Sequence, residues 1–382
     1  MSEGQDTAGA AFGPGAAAFE RDPASLERGA AFECRASPSL ALLKYWGKSD
    51  GRLNLPATPS LALSLGALTT STRVEASFEG EDEVSVGGLR QHPGRYAAFF
   101  DALRRALGAE LRFRARSRND FPTSSGLASS SSAFAALALA GARAGEAFLG
   151  KGRRQVLRRG RNRGDGLSLA EISAIARIGS VSAARAVFGG FSFLPARSRA
   201  ARPIYGEDHW PELRVLVACV SLEAKALSSR EAMERSRSTS PFYESWVRGA
   251  SAEVAAALEA LERRDLESLG ESVRKSYLRM FGAMLACDPP IFYWLPGSIA
   301  IIRECEEMRR QGIGVWETMD AGPQVKMLCL APDVPGATER IRALGASMSI
   351  VESRVGPAPL VSVAAPAVDI GEGPDGETGK IE

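Results

Sequence analysis

The segment 119–140, NDFPTSSGLASSSSAFAALALA, constrains this chain more than any other. It opens with a turn at Phe121-Pro122-Thr123, passes Gly126, and runs through small hydroxylated residues into an apolar, alanine-rich helix. A strand candidate, 111–116, lies just before it. Strand, small-residue loop and helix start are together the parts of an anion site. Free backbone N–H groups and the positive end of the helix dipole point at whatever sits there. Small side chains let a phosphate chain approach the backbone closely. A buried helix behind a serine-rich cap has the same composition, so the segment alone leaves both readings open.

At 382 residues the chain suits one large domain or two fused lobes. Its residues are 45% hydrophobic and 24% charged, a globular composition. A net charge of +2 argues against a dedicated nucleic-acid or membrane-surface protein. Cys34, Cys219, Cys287, Cys305 and Cys329 are scattered, and His92 and His209 lie far apart. That spacing argues against zinc and for reduced cysteines in a cytoplasm. The pattern suggests no apolar run of membrane-spanning length and no secretory signal.

Residues 1–30 are rich in Gly, Ala and acids without a period, and are expected to be a disordered tail, as are 367–382. From Ala31 the chain alternates as strands do, in AFECRAS, LALSL and STRVEASF. Residues 95–107 read as an amphipathic helix. The stretch 151–164, KGRRQVLRRGRNRG, is basic without an acid and reads as a solvated insertion. The Walker-like GEAFLGK at 145–151 is rejected, because Gly152 follows in place of Ser or Thr and the segment trails a helix. Residues 167–187 are helical with a break at Gly179-Ser180, and VFGGFSFL follows as a strand. The loop-like 197–211 marks a boundary between lobes at about 205. Beyond it come a buried strand at 213–220, helices at 241–263, 266–285, 298–310 and 336–344, and strands at 314–319, 325–330 and 347–352. Without a clean βαβ rhythm, the mixture favours an α+β fold.

Four further stretches are more polar than a core or an ordinary loop requires. LKYWGK at 43–48 sets Lys44 and Lys48 around two aromatics, which suits anionic oxygens or a surface loop anchored by Trp46. In ARIGSVSAAR at 176–185, the Ser180 and Ser182 hydroxyls and the Arg185 guanidinium suit a carboxylate, or a plain N-cap beside a solvated arginine. TMDAGPQ at 318–324 is a turn by default, and also a rigid mount for a general base at Asp320. LSSREAM at 227–233 reads as a helix start capped by Ser228 or Ser229.

In series, ALLKYWGK, LNLPATPSLALSL, NDFPTSSGLASSSSAFAAL, ARIGSVSAAR, VFGGF, PPIFYW and TMDAGP resemble the diphosphomevalonate decarboxylases of the GHMP kinase superfamily, over residues 31–363. The resemblance implies a two-lobed α+β fold with the active site in the cleft, an N-terminal lobe at 31–205 and a C-terminal lobe at 206–366. It implies ATP and Mg²⁺ as cofactors, 5-diphosphomevalonate as substrate, and a homodimer, with no nucleic-acid or membrane partner. By that resemblance Asn119, Pro122, Ser125, Gly126, Leu127, Ala128, Ser129, Ser130 and Ser131 would cradle the ATP phosphates. Tyr45, Lys48 and Arg73 would hold the substrate's diphosphate, Ser180, Ser182 and Arg185 its carboxylate side, and Ser229 would close over the phosphates. Asp320 would be the catalytic carboxylate beside the 3-hydroxyl, with Lys44 and Arg185 at its side.

The sequence departs from the family pattern in three places. The usual GSGSACR reads GSVSAAR, the serine-serine-threonine start of the later loop reads Ser228-Ser229-Arg230, and DAGPN reads DAGPQ. Two alternatives stay open: a mevalonate or phosphomevalonate kinase or decarboxylase of the same superfamily, and a non-catalytic binding protein on the same scaffold.

Overall fold

A computed structural model describes residues 30–121, 129–157, 166–223 and 225–364, with backbone alone for 151–157. Outside the described residues lie 1–29 and 367–382 of the expected tails, 158–164 of the basic stretch, and Pro122, Ser125, Gly126, Leu127 and Ala128 of the expected phosphate loop.

The first half of the chain contains β1 (Phe32–Ala36), β2 (Ser39–Ala41), β3 (Lys48–Asp50), β4 (Leu55–Pro56), β5 (Ser60–Ser64), β6 (Thr70–Ser77), β7 (Glu83–Val86) and β8 (Leu89–Arg90). Next come α1 (Ala97–Leu107), β9 (Arg112–Asn119), α2 (Ser129–Leu157), α3 (Leu169–Gly179), α4 (Ala183–Ala186), β10 (Phe191–Leu194) and β11 (Arg202–Tyr205). The second half contains β12 (Leu213–Cys219), α5 (Ser229–Thr239), α6 (Tyr243–Gly249), α7 (Val254–Arg263), α8 (Leu266–Leu285) and α9 (Pro296–Arg310). It closes with β13 (Trp316–Met319), β14 (Val325–Leu330), α10 (Val334–Ala343), β15 (Ser349–Ser353) and β16 (Leu360–Val363).

The alternation in β6 and β9 determines the first layer. Thr72, Val74, Phe113 and Ala115 point inward and are buried, while Arg114, Arg116 and Arg118 face out. The inner face of this sheet, ordered β16-β1-β6-β9-β7-β8, packs on α2. By length and composition Ser129–Gly150 could cross a membrane, contrary to the sequence expectation, but most of it is buried in this core. A second sheet, β11-β10-β5-β2, faces the sheet β13-β14-β12-β15 of the other lobe. Leu61, Leu63 and Phe191 meet Val215, Val217 and Leu328 there, so the two lobes share one apolar interior. The far side of the last sheet is covered by α8 and α9 through Phe281, Ile301 and Met308.

Further expectations need correction. The region 197–211 holds a strand, β11, paired with β10. Of VFGGFSFL only Phe191–Leu194 is strand, because the chain turns at Gly190 with φ 61°. The helix expected at 241–263 is broken into α6 and α7. The unexpected β16 leaves the second lobe and joins the first sheet beside β1, pairing Val363 with Phe32.

Candidate active site

Asp320 stands just past the end of β13, where the chain turns into β14. Gly322 N donates to the Asp320 carbonyl at 2.8 Å and closes the turn. Gln324 Oε1 accepts from Val220 N at 2.6 Å and fixes that turn to the end of β12. Turn and carboxylate mount are thus one object, and the larger glutamine still finds backbone partners.

Two ammonium groups hold the carboxylate. Lys44 Nζ donates to Asp320 Oδ1 at 2.8 Å and to the Ala41 carbonyl at 2.7 Å. Lys326 Nζ lies 3.4 Å from Oδ2. The lysine side chains are 1% and 2% exposed, whereas that of Asp320 is 24% exposed. Burial would raise the Asp320 carboxyl, but Lys44 and Lys326 outweigh it and keep the group well below the usual carboxylate range. Burial pushes the Lys44 ammonium down to about 8, against the pull of Asp320, with Lys326 and Arg185 adding to the fall.

Arg185, in α4, is buried. Its Nε donates to Ser39 Oγ at 3.2 Å and its Nη1 to Ser60 Oγ. Burial lowers it to about 10, opposed by Asp320. Hydroxyls accept from its Nε and Nη1 without cancelling its charge, which leaves a guanidinium prepared for an anion. Ser180 Oγ lies 3.0 Å from Ser182 Oγ and 3.4 Å from Ser130 Oγ, so the α3–α4 turn touches the start of α2. Val181, in place of the family's usual glycine, is buried in the first lobe's core. Ser131 Oγ accepts from Ser39 N at 3.0 Å, and Asn119 Oδ1 accepts from Thr70 Oγ1 at 2.7 Å. A cavity of about 290 Å³ opens here, lined by Val84, Val86, Tyr96, Phe134 and Leu137 together with Asn119, Ser129 and Ser130.

The loop after β2 carries the next group. Trp46 Nε1 donates to Ser236 Oγ at 3.0 Å, and Trp46 is the anchor that its type suggests. Gly47 has φ 96°, and a Cβ there would lie 1.9 Å from the Tyr243 hydroxyl, so glycine is required twice over. The Tyr45 hydroxyl is buried and has no hydrogen-bond partner among the described residues. Burial pushes its phenol up, Tyr243 adds to this, and Arg185 and Arg230 oppose it. Burial lowers the Lys48 ammonium, helped by Arg230 and opposed by Glu234. Tyr45 and Lys48 thus both lie within the electrostatic reach of Arg230. Arg73 is not brought to it: Arg73 Nε pairs with Glu75 Oε1 at 3.3 Å on the outer face of β6.

Ser228 is the N-cap of α5, in a capping box with Glu231. Ser229 Oγ is left to accept from Lys225 Nζ at 2.7 Å, and the same ammonium donates to the Ala321 carbonyl at 3.0 Å. Lys225, Lys326, Ser39 and Ser60 escaped the sequence reading. Lys326 had left a sign, a lone lysine within the apolar run VKMLCL. Among the described residues no group of three or more His, Cys, Asp or Glu could hold a metal ion.

Residues 36–201 match the diphosphomevalonate decarboxylase-like N-terminal domain, and 215–362 the mevalonate 5-diphosphate decarboxylase C-terminal domain. A diphosphomevalonate decarboxylase of Ganoderma lucidum is 33% identical over 325 residues, 75% of each chain. This chain belongs to the diphosphomevalonate decarboxylase family. The human diphosphomevalonate decarboxylase is 31% identical over 334 residues, 79% of this chain and 77% of that one. The mevalonate diphosphate decarboxylase structure from Staphylococcus aureus has a TM-score of 0.78 at 28% identity, covering 87% of this chain and 98% of that one. Another structure, MDDEF in complex with MVAPP, AMPPCP and magnesium, has a TM-score of 0.76 at 32% identity, covering 88% and 99%. The α+β fold described above, GHMP-kinase-like as expected, is the fold of these decarboxylases.

Proposed function

We propose that this protein catalyses the ATP-dependent decarboxylation of (R)-5-diphosphomevalonate to isopentenyl diphosphate, ADP, phosphate and CO₂, in the mevalonate route of isoprenoid biosynthesis. One observation carries the reading. The carboxylate of Asp320, 24% exposed, is held between Lys44 and Lys326 with the buried Arg185 within electrostatic reach, in a chain of the decarboxylase family.

A tertiary alcohol is a poor leaving group, and transfer of the γ-phosphoryl of ATP to the 3-oxygen makes it a good one. Asp320, held strongly ionised, is too weak a base to ionise the alcohol beforehand. It orients the hydroxyl and accepts its proton as the O–P bond forms. ADP leaves with the electron pair of the broken P–O bond. The C3–O bond then breaks and releases phosphate, and the C–CO₂ bond supplies the electron pair of the new alkene. Arg185, with Ser180 and Ser182, holds the carboxylate in line for that loss. Tyr45 and Lys48, with Arg230 near them, take the diphosphate, and the orphan Tyr45 hydroxyl is a donor waiting for such an acceptor.

The cavity beside α2 takes the base of ATP against Tyr96 and Phe134, and Asn119, Ser129, Ser130 and Ser131 stand beside the phosphates. Lys225 and Ser229 close from the other lobe. Mg²⁺, when bound with ATP, would supply charge neutralisation at the phosphate oxygens, held largely by the nucleotide's own oxygens. We also assign the protein to the cytoplasm, because its five cysteines are all buried and unpaired, and infer a homodimer from the family.

The test is the CO₂ released per ADP formed, with mevalonate, its 5-phosphate and its 5-diphosphate supplied in turn. About one CO₂ per ADP on the diphosphate alone is the expected outcome. ADP without CO₂ identifies a kinase, and no ATP turnover on any of the three identifies a binding protein.

A further inference from the structure

The strand β14 is an apolar strand with a lysine in it. Five of its six residues are buried, and Lys326 pairs across the sheet with Val217 on one side and Thr318 on the other. Its side chain is 2% exposed at the edge of the interior shared by the two lobes. Taking an ammonium out of water is costly unless a partner offsets it. Asp320 Oδ2 is a partner at 3.4 Å, yet Oδ1 of the same carboxylate is already occupied by Lys44 Nζ at 2.8 Å. One cation suffices to keep a buried carboxylate ionised. A second brings surplus positive charge into a place where Lys44 and Arg185 already supply it. The place of the ammonium beside the reacting groups gives that surplus a use.

We propose that Lys326 is a positioning residue of this reaction: it pins the second oxygen of Asp320, fixing the carboxylate plane against the substrate's 3-hydroxyl, and its charge adds to the pull on the transferring phosphoryl group. The proposal rests on reading Asp320 as the group beside that hydroxyl. Held at one oxygen by Lys44 alone, the carboxylate could swing about its Cβ–Cγ bond. Held at both, it cannot, and reactive geometry is sensitive to displacements of this size. Among the described residues, the charged groups around Lys326 and Asp320 are Lys44 from the loop after β2, Arg185 from α4 and Lys225 from the segment after β12. Lys326 repels the Lys44 ammonium directly, so its removal lets Lys44 keep its proton to higher pH.

Lys326→Met is the test, since methionine fills the volume and suits the apolar surroundings. The expected kcat falls about 10- to 100-fold, with a smaller change in KM for the diphosphate substrate. The alkaline limb of kcat/KM moves to higher pH, and Tm is unchanged or higher. Lys326→Arg, which keeps the charge, restores part of kcat and returns the limb toward its wild-type position. Wild-type kcat and pH profile in a folded Lys326→Met enzyme overturn the proposal. So does a fall in kcat that comes with a fallen Tm and an unmoved limb, which marks a structural lysine. If the Met variant does not fold, the Arg variant decides: its Tm near wild type with kcat reduced supports the role, and kcat and pH profile unchanged refute it. Asp320→Asn is measured alongside. Should it keep wild-type turnover, the reading of Asp320 is what fails; should it be inactive while Lys326→Met is normal, the role of Lys326 alone fails.

Discussion

Glu317 and Asp320 are three residues apart, and both are carboxylates held between two cations. Their surroundings differ in a way that separates architecture from chemistry. Glu317 is 0% exposed. Arg274 Nε reaches its Oε1 at 2.8 Å, Arg309 Nη1 its Oε2 at 2.6 Å, and the Tyr277 hydroxyl completes the set at 3.0 Å. Arg274 also pairs with Glu306 at 2.8 Å, so the charges there balance. Asp320 is 24% exposed, and its cations, Lys44, Lys326 and the nearby Arg185, outnumber it. Guanidinium forks seal the first carboxylate. Ammonium groups leave the second partly exposed, with positive charge in excess around it. Burial of a carboxylate is therefore no guide to its role, whereas the charge balance around it is.

The comparison breaks most sharply under amide substitution. Asp320→Asn is expected to lose about 10²–10⁴ in kcat with the fold intact, the range for a general base. Glu317→Gln should leave kcat near wild type below its melting point but cost about 3 kcal/mol of stability, toward the low end for a broken buried pair because Arg274 is 32% exposed. Chemical denaturation and steady-state kinetics on both variants check this, and swapped phenotypes would sink the distinction. Arg185→Lys tests whether the surplus charge or the planar fork matters. It keeps the charge, and turnover should still fall about 10- to 100-fold through misplacement of the substrate carboxylate. Wild-type kinetics in that variant would show that the fork is unimportant.

The smallest effect is on pH. The folded protein lowers the Lys44 ammonium to about 8, so its proton leaves as pH rises through that value, and kcat/KM should drop about tenfold per unit beyond it. Asp320 is held low, so it contributes no loss of activity as pH falls from neutrality to the ordinary carboxylate range. A profile flat to pH 10 would remove Lys44 from the set of groups that must stay charged.

Local pattern reached far into this fold. The period-2 alternation of β6 and β9 and the helix in 95–107 were visible because each buries one face. β11 was hidden because Pro203 interrupts an edge strand, where a missing N–H is tolerated. The Asp320 turn was legible from Gly322 and Pro323, and a serine cap at 228 or 229 from the run LSSREAM, with the capping box to Glu231 deciding for Ser228. What stayed illegible depends on long-range partners. Lys44 and Asp320 meet across 276 residues, and Arg185 finds Ser39 and Ser60 across 146 and 125. Nothing in a run of serines says which of them will hold a guanidinium. Arg73 shows the converse, since family likeness pointed to the pocket and strand alternation turned the side chain to the other face.

The return of β16 to the edge of β1 has a consequence for how the molecule is made. Phe32 enters the ribosomal tunnel's exit long before Val363, its partner across the sheet, has been synthesised. Until then β1 stands as an open margin with unsatisfied peptide groups. The lobe that emerges first is thus the one finished last, and a cut at the boundary between lobes would give one half a sheet lacking its final strand.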